Sequence, residues 1–323
     1  MNFFTICNLA YLNMALTWAE SVSQTIKGAY IRIILVDEFD LMDTLYFKLL
    51  CMHIEKHTAL LKMENFDITL DNSILESGMK RSMLDKYNIV EYCTAIKPFC
   101  FEYLFHAASK QNGDLLVYMD PDTYVYEDFT AVFEGNNNSI YLTPHILTRT
   151  YDTTSISDYR EWKYLQVGIF NLGFLGLRNS QNSVDFIKWW QSRLIQHCVI
   201  DRKKGIFVDQ KWCDFIPSLY NEFLIIKEKG FNIAYWNMYE REDLFKNYGN
   251  IYFIHYSVRK NLAKFDFMKH YLNEYNDKID SWSLYLKSEN PIVFTKFKSK
   301  KNHKESKLKV FFNKVSKKIG FAI

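Results

Sequence analysis

The sequence predicts an α/β protein: a mainly parallel, mixed sheet flanked by helices. Three observations predict it. The first 36 residues read strand, helix, strand, and Leu115 to Met119 form a continuous apolar run closed by turn formers on both sides. The third is composition: 323 residues that are 48% hydrophobic and 17% aromatic can cover a sheet on both faces.

Taken in order, Phe3 to Cys7 and Ile31 to Val36 are short runs rich in β-formers. Between them, Tyr11 to Ile26 places Leu12, Ala15, Leu16, Ala19 and Val22 at helical spacing. The second strand ends in Val36-Asp37-Glu38, so an acid stands where the carboxyl end of a parallel strand meets a ligand crevice. A helix is predicted over Leu41 to His53, a polar stretch follows, and Phe99 to Ser109 is predicted helical again. Gly113-Asp114 turns the chain into Leu115 to Met119, which reads as a buried parallel strand ending at Pro121. Ser139 to Leu142 and Val167 to Leu177 are further strands, the second carrying Gly168, Gly173 and Gly176, where a missing side chain permits close backbone approach or a bulge. Val184 to His197 is a helix with Val184, Ile187, Trp190 and Leu194 on one stripe. No repeat or low-complexity linker divides the chain before residue 290, which predicts one catalytic domain over residues 1–290 and a basic, amphipathic tail over residues 291–323.

Charge separates those two parts. Residues 296–323 hold ten lysines against Glu305, a net +9, which leaves −6 for residues 1–295 out of the total of +3. A mildly acidic body argues against nucleic acid as a partner. The six cysteines (Cys7, Cys51, Cys93, Cys100, Cys198 and Cys213) are scattered without paired metal-ligand spacing and read as reduced, mostly buried thiols. No run of eighteen apolar residues and no signal-peptide pattern appears, so the expected location is cytoplasmic.

Chemistry concentrates at Asp120-Pro121-Asp122. Two carboxylates one residue apart, just beyond a buried strand, repel each other and call for a cation. Magnesium or manganese accepts oxygen ligands and keeps positions open for substrate phosphates, so this turn makes a sensible diphosphate clamp. An isolated Asp-x-Asp is most often a solvated turn, and the rest of the sequence has to lift it above that.

Six segments do so together: Ala95-Ile96-Lys97-Pro98-Phe99, Val117 to Asp122, Gly168-Ile169-Phe170-Asn171-Leu172-Gly173, Phe207-Val208-Asp209-Gln210-Lys211-Trp212, Tyr235-Trp236-Asn237 and Phe253-Ile254-His255-Tyr256-Ser257. In this order they resemble bacterial glycosyltransferases of the GT-A fold related to glycosyltransferase family 8, of the surface-polysaccharide type, over roughly residues 3 to 260. The resemblance implies a nucleotide-diphosphate sugar donor, UDP-linked, and manganese or magnesium held by Asp120, Asp122 and His255. It implies a hydroxyl acceptor on a glycan or lipid-linked oligosaccharide, and it favours retention of configuration, with Asp209 as the base under the inverting alternative. It also places Lys97 at the donor diphosphate, Asn171 at the donor sugar, and Asp209 with Gln210 facing the transferred sugar. By fold-level similarity, Asn8, Tyr11 and Asp37 line the nucleoside pocket.

Read from the residues alone, each of these has a plainer alternative. His255 after an apolar strand, Ile251 to Ile254, is equally a hydrogen-bonded core histidine. Lys97 precedes proline, so the helix is expected to begin after it, and its charge can be a surface one. Asp209 can be an N-cap for a helix over Lys211 to Ile216, Asn171 a turn former, and Asn8 a helix start. Trp212, Tyr235 and Trp236 rank first as packing residues. One departure from the family stands out: where it continues past the histidine into a glycine and a lysine, this chain has Tyr256-Ser257-Val258-Arg259-Lys260, leaving Arg259 or Lys260 as the substitute cation.

In the tail, Leu308, Phe311, Phe312, Val315 and Ile319 recur at spacings of three and four among the lysines. That predicts a basic amphipathic helix on an anionic membrane surface, with a disordered solvating tail as the alternative. Two other function classes compete. A nucleotidyltransferase would show a Gly-rich basic loop after the first strand, and Asn8 to Ala15 contains neither Gly nor Lys. A non-catalytic membrane-surface module has no evident need for Asp120, Asp122 and His255 together.

Overall fold

The computed structural model describes residues 1–36, 45–63, 65–108, 115–149 and 158–289. Asp37, the start of the predicted Leu41 to His53 helix, and the tail 291–323 lie outside the described residues. Eleven strands are assigned among the described residues: β1 Asn2–Asn8, β2 Tyr30–Val36, β3 Phe66–Leu70, β4 Leu115–Met119, β5 Thr123–Val125, β6 Ile140–Pro144, β7 Phe170–Arg178, β8 Ile200–Asp201, β9 Ile206–Phe207, β10 Phe223–Ile225 and β11 Phe253–His255.

Seven of them form one sheet in the order β10-β6-β7-β4-β1-β2-β3. β1 pairs parallel with β2 and β4, β2 with β3, and β6 with β10, whereas β7 runs antiparallel to both β4 and β6. The pleat sorts the core into two layers. Phe3 and Cys7 of β1 and Leu115, Val117 and Met119 of β4 pack on one face, against Leu12, Leu16 and Trp18 of α1 (Leu12–Thr25). Phe4 and Ile6 of β1 and Leu116 and Tyr118 of β4 pack on the other, with Phe101, Trp190 and Leu194. A third cluster unites Tyr124 of β5 and Ile254 of β11 with Leu272, Tyr275 and Ile279 of the helix Lys269–Glu289. Glu20 on α1 accepts hydrogen bonds from Lys278 and Trp282 of that helix and ties it to the body.

The predicted opening is observed nearly as read. Several boundaries are corrected. A helix runs Leu45–Leu60, past His53. Val167 closes a helix, Asp158–Val167, and the strand begins only at Phe170, because Gly168 turns the chain at φ +116°. The helix predicted to follow Lys97 starts at Lys97 itself, with Pro98 in its first turn where its missing N–H is not needed. Between Gln210 and Phe215 the chain makes 3-10 turns leading into the short helix Ile216–Leu219. The stretch read only as polar contains β3 and two helices, Ser77–Lys86 and Ile89–Ala95. All six cysteines are free, and Cys7, Cys100, Cys198 and Cys213 are buried, as expected. No helix among the described residues is long and apolar enough to cross a membrane.

Candidate metal and donor site

The site is assembled by backbone pairing at the carboxyl end of β4. Beyond Met119, the Asp120 N–H donates to the Gly173 carbonyl of β7 at 2.9 Å. The Thr123 N–H and hydroxyl both donate to the Asp120 carbonyl, at 3.1 and 2.8 Å, closing the turn over Pro121. That turn feeds β5, which pairs antiparallel with β11 and sets His255 opposite Thr123. The strand predicted over Ile251 to Ile254 thus starts two residues later and ends one residue later, so His255 is its last residue rather than the one after it. The Tyr256 N–H donates to the Asp122 carbonyl at 2.7 Å and locks the ribbon to the turn.

This pairing places His255 Nε2 3.2 Å from Asp122 Oδ1 and 3.5 Å from Asp120 Oδ2. One ligand atom from each of the three residues lies within 4.8 Å of the others, a spacing that one metal ion can span. Burial disfavours a charged imidazole at His255, but the Asp122 and Asp120 carboxylates outweigh it and raise its pKa above the ordinary value. Burial also opposes ionisation of Asp122, and there His255 and, further off, Arg259 prevail and lower its pKa. The Asp122 carboxylate is thereby held ionised, the charge state a cation requires.

Neighbours aim these ligands. The Tyr118 hydroxyl donates to Asp120 Oδ1 at 2.6 Å, leaving Oδ2 towards His255. Lys97 is 2% exposed, not a surface charge. Its ammonium lies 2.8 Å from Asp209 Oδ2 and 3.7 Å from Asp120 Oδ1, donates to the Leu172 carbonyl at 3.0 Å, and sits 4.3 Å from the Tyr118 ring centroid. Burial works against the Lys97 charge, but Asp209 and Asp120 raise its pKa above the ordinary value, so it stays protonated. Asp209, 2% exposed, is raised by burial and by Asp120, against the pull of Lys97. The residue before it, Val208, has φ +40°, a conformation rare for a β-branched side chain. Asp209 stands at the start of the 3-10 turns, yet its side chain makes no capping bond.

The remaining predicted residues divide. Asn8 ends β1 at the same sheet edge and its side chain accepts from the Ala10 N–H, so it does start the following turn. Tyr11 is exposed just before α1. Asn171 is buried beside the metal ligands, with its Oδ1 accepting from the Gly173 N–H at 3.0 Å and from Asn232 Nδ2 at 2.9 Å. The Gln210 amide donates to the Val167 carbonyl at 2.7 Å and so supports the chain entering β7. Trp236 meets the His255 ring edge-on at 5.2 Å and is half-buried, as are Tyr235 and Trp212. Of the two candidate cations after His255, Arg259 is close enough to act on Asp122 and donates to Asn276 at 2.7 Å, whereas Lys260 is exposed. Gly173, read as a place of close backbone approach, belongs to the site, and so do Tyr118, His145 and Asn232, which were not singled out for it. The available signal was a lone polar residue in a buried apolar stretch, as at Phe231-Asn232-Ile233-Ala234.

No protein-family model matches the chain. Two proteins of Bacillus subtilis strain 168 are similar in sequence. YfnF, described as an uncharacterised protein, is 24% identical over 192 residues, 58% of this chain and 61% of its own length. YfnD, described likewise, is 28% identical over 152 residues, 46% of this chain and 45% of its own. The chain thus spans less than two-thirds of either relative. Among solved structures, the galactosyltransferase LgtC superimposes with a TM-score of 0.52 at 13% identity, over 87% of this chain and 96% of LgtC. The chain has the GT-A fold. The bifunctional glycosyltransferase WbbM agrees, with a TM-score of 0.52 at 11% identity, over 90% of this chain and 51% of WbbM.

Proposed function

We propose that this protein is a glycosyltransferase that takes a sugar from a UDP-linked donor and transfers it, with retention, to a hydroxyl of a glycan or lipid-linked acceptor. The observation that carries the reading is the meeting of Asp120, Asp122 and His255 at the carboxyl edge of a sheet with the GT-A fold. Ligands occupy crevices at this edge in parallel sheets, where strand ends supply polar groups and helices leave room.

Two carboxylate oxygens and an imidazole nitrogen suit manganese or magnesium, hard ions that keep further positions for phosphate oxygens. When bound, the ion supplies positive charge to the departing diphosphate. The chain's own residues do the rest. Asn8 and Tyr11 are assigned to the nucleoside side of the crevice, a role the sequence resemblance also gives Asp37, and Arg259 is the cation beside Asp122 for the diphosphate. Lys97 holds Asp209 and Asp120 in place from beneath, and Asp209 with Gln210 and Asn171 lines the sugar side. Retention follows the family 8 resemblance, in which a phosphate oxygen of the leaving group acts as base on the same face. LgtC has been crystallised in complex with donor and acceptor sugar analogues, which supports a paired donor and acceptor arrangement here. The basic segment 296–323 favours an acceptor presented at a membrane, as in surface-polysaccharide assembly.

A screen of nucleotide-sugars for manganese-dependent release of the nucleoside diphosphate tests the reading. One donor should turn over in the wild type and lose at least about a hundredfold in Asp122→Asn, since one charged ligand is removed. No release from any donor would sink the proposal. An NMR time course showing an inverted anomer would overturn retention alone.

A further inference from the structure

We propose that Asn232 is a positioning residue that holds His255 with a proton on Nδ1, so that Nε2, between Asp120 and Asp122, is the nitrogen left to bind a metal. The inference rests on the metal reading above and assigns the part of the chain that prepares the imidazole for the ion.

Hydrogen-bond polarity determines the arrangement. The Gly173 N–H can only donate, and it points at Asn171 at 3.0 Å, so that atom of Asn171 is the amide oxygen. The same oxygen is 2.9 Å from the Asn232 side chain, whose contacting atom must then be Nδ2. The second Nδ2 hydrogen goes to Thr143 Oγ1 at 2.9 Å. Both donors of Asn232 are therefore used, and its oxygen faces His255 Nδ1 at 3.1 Å. An amide oxygen only accepts, so Nδ1 carries a proton in either charge state of the ring, and Nε2 is the nitrogen that gives up its proton when a metal binds.

The far end of the relay closes consistently. Asn171 Nδ2 points at His145 Nε2 at 3.4 Å, which must accept, and His145 Nδ1 donates to the Ile169 carbonyl at 3.3 Å. His145 is 5% exposed and stacks on Tyr164 at a ring separation of 4.9 Å, so water does not compete. Every link from the Ile169 carbonyl to His255 thus has one allowed direction. A lone Nε2 pair facing two carboxylates is unfavourable by itself and becomes favourable with a cation between them. Partners that fix a ligand histidine in this way typically change metal affinity 10–100-fold when removed.

Asn232 also has φ +50°, a left-handed conformation that glycine adopts without strain. Asn232→Gly therefore deletes the amide while sparing the backbone, and Thr143→Val removes only the acceptor of one Nδ2 hydrogen and leaves the Asn232 oxygen at Nδ1. The test is manganese titration by calorimetry, together with nitrogen-15 spectra of histidine-labelled protein saturated with magnesium. Asn232→Gly should bind manganese about 10–100-fold more weakly and lose the sharp Nδ1–H signal of His255, while Thr143→Val stays within about threefold and keeps that signal. A general folding defect would weaken both variants alike and overturn the assignment. So would undiminished binding by Asn232→Gly, or a proton found on Nε2 in the magnesium-loaded wild type. A wild type that binds no manganese would instead overturn the metal reading, and this inference with it.

Discussion

His145 shows what burial does to a single group here. Burial pushes its pKa down to about 4, against hydrogen bonds to the backbone at Ile169 and Gly168 that work the other way. Its unfolded value is the ordinary 6.5, so between pH 6.5 and 4 the unfolded chain binds a proton that the folded chain refuses. Stability from this residue is complete above pH 6.5 and is lost as pH falls towards 4. By pH 5 the loss is about 2 kcal/mol. Urea unfolding at pH 7 and pH 5 should show the wild type losing about that much more than His145→Gln, and equal losses would contradict a neutral His145. At this scale the sequence carries only part of the information. Asp120 and Asp122 announce themselves because two charges beyond a buried strand need an explanation. Asn232 does not, because its partners stand 23 to 89 residues away and only the fold brings them together.

At the scale of elements, the site depends on β7 and β11 approaching each other closely. Gly173 allows it. A Cβ there would collide with His255 Cε1, lie 2.6 Å from His255 Nδ1 and 2.8 Å from Asn171 Oδ1. Its carbonyl meanwhile accepts from Asp120, so the strand cannot retreat without disturbing the turn. Gly173→Ala should weaken manganese binding about 10–100-fold, as expected when a ligand is displaced, and lower stability by about 1–3 kcal/mol, as expected for overpacking. Calorimetry and urea unfolding check both, and retained affinity would show that the imidazole has room to shift. The same strands mark the limit of what the sequence shows. β1, α1, β2, β4 and the helix Gln181–His197 are long or strongly patterned and can be read directly. β7 is legible as a strand but not as the reversed one, because an apolar run looks alike in either direction. β5 and β10 have three residues each, too few for a period. The helix Lys269–Glu289 does carry a stripe, Leu272, Tyr275, Ile279, Trp282 and Leu286, interleaved with charged residues that lower its mean hydropathy.

For the whole molecule, the separation of charge along the chain sets how it meets a surface. Residues 1–295 carry −6 and residues 296–323 carry +9, so an anionic bilayer should repel the first and attract the second. Each lysine near such a surface contributes about 1 kcal/mol, fading within a Debye length of roughly 8 Å at physiological salt. The ten lysines of residues 296–323 are therefore enough for reversible binding even if only half of them reach the headgroups. The full chain should co-sediment with phosphatidylserine vesicles and leave them as salt is raised. A protein ending at Asn290 should stay in solution, yet release nucleotide from its donor at the same manganese-dependent rate, because every residue assigned to the site precedes residue 260. If the shortened protein sediments equally well, the described body itself holds the membrane contact. If it loses turnover instead, residues 291–323 belong to the catalytic unit, and the boundary at 290 is misplaced.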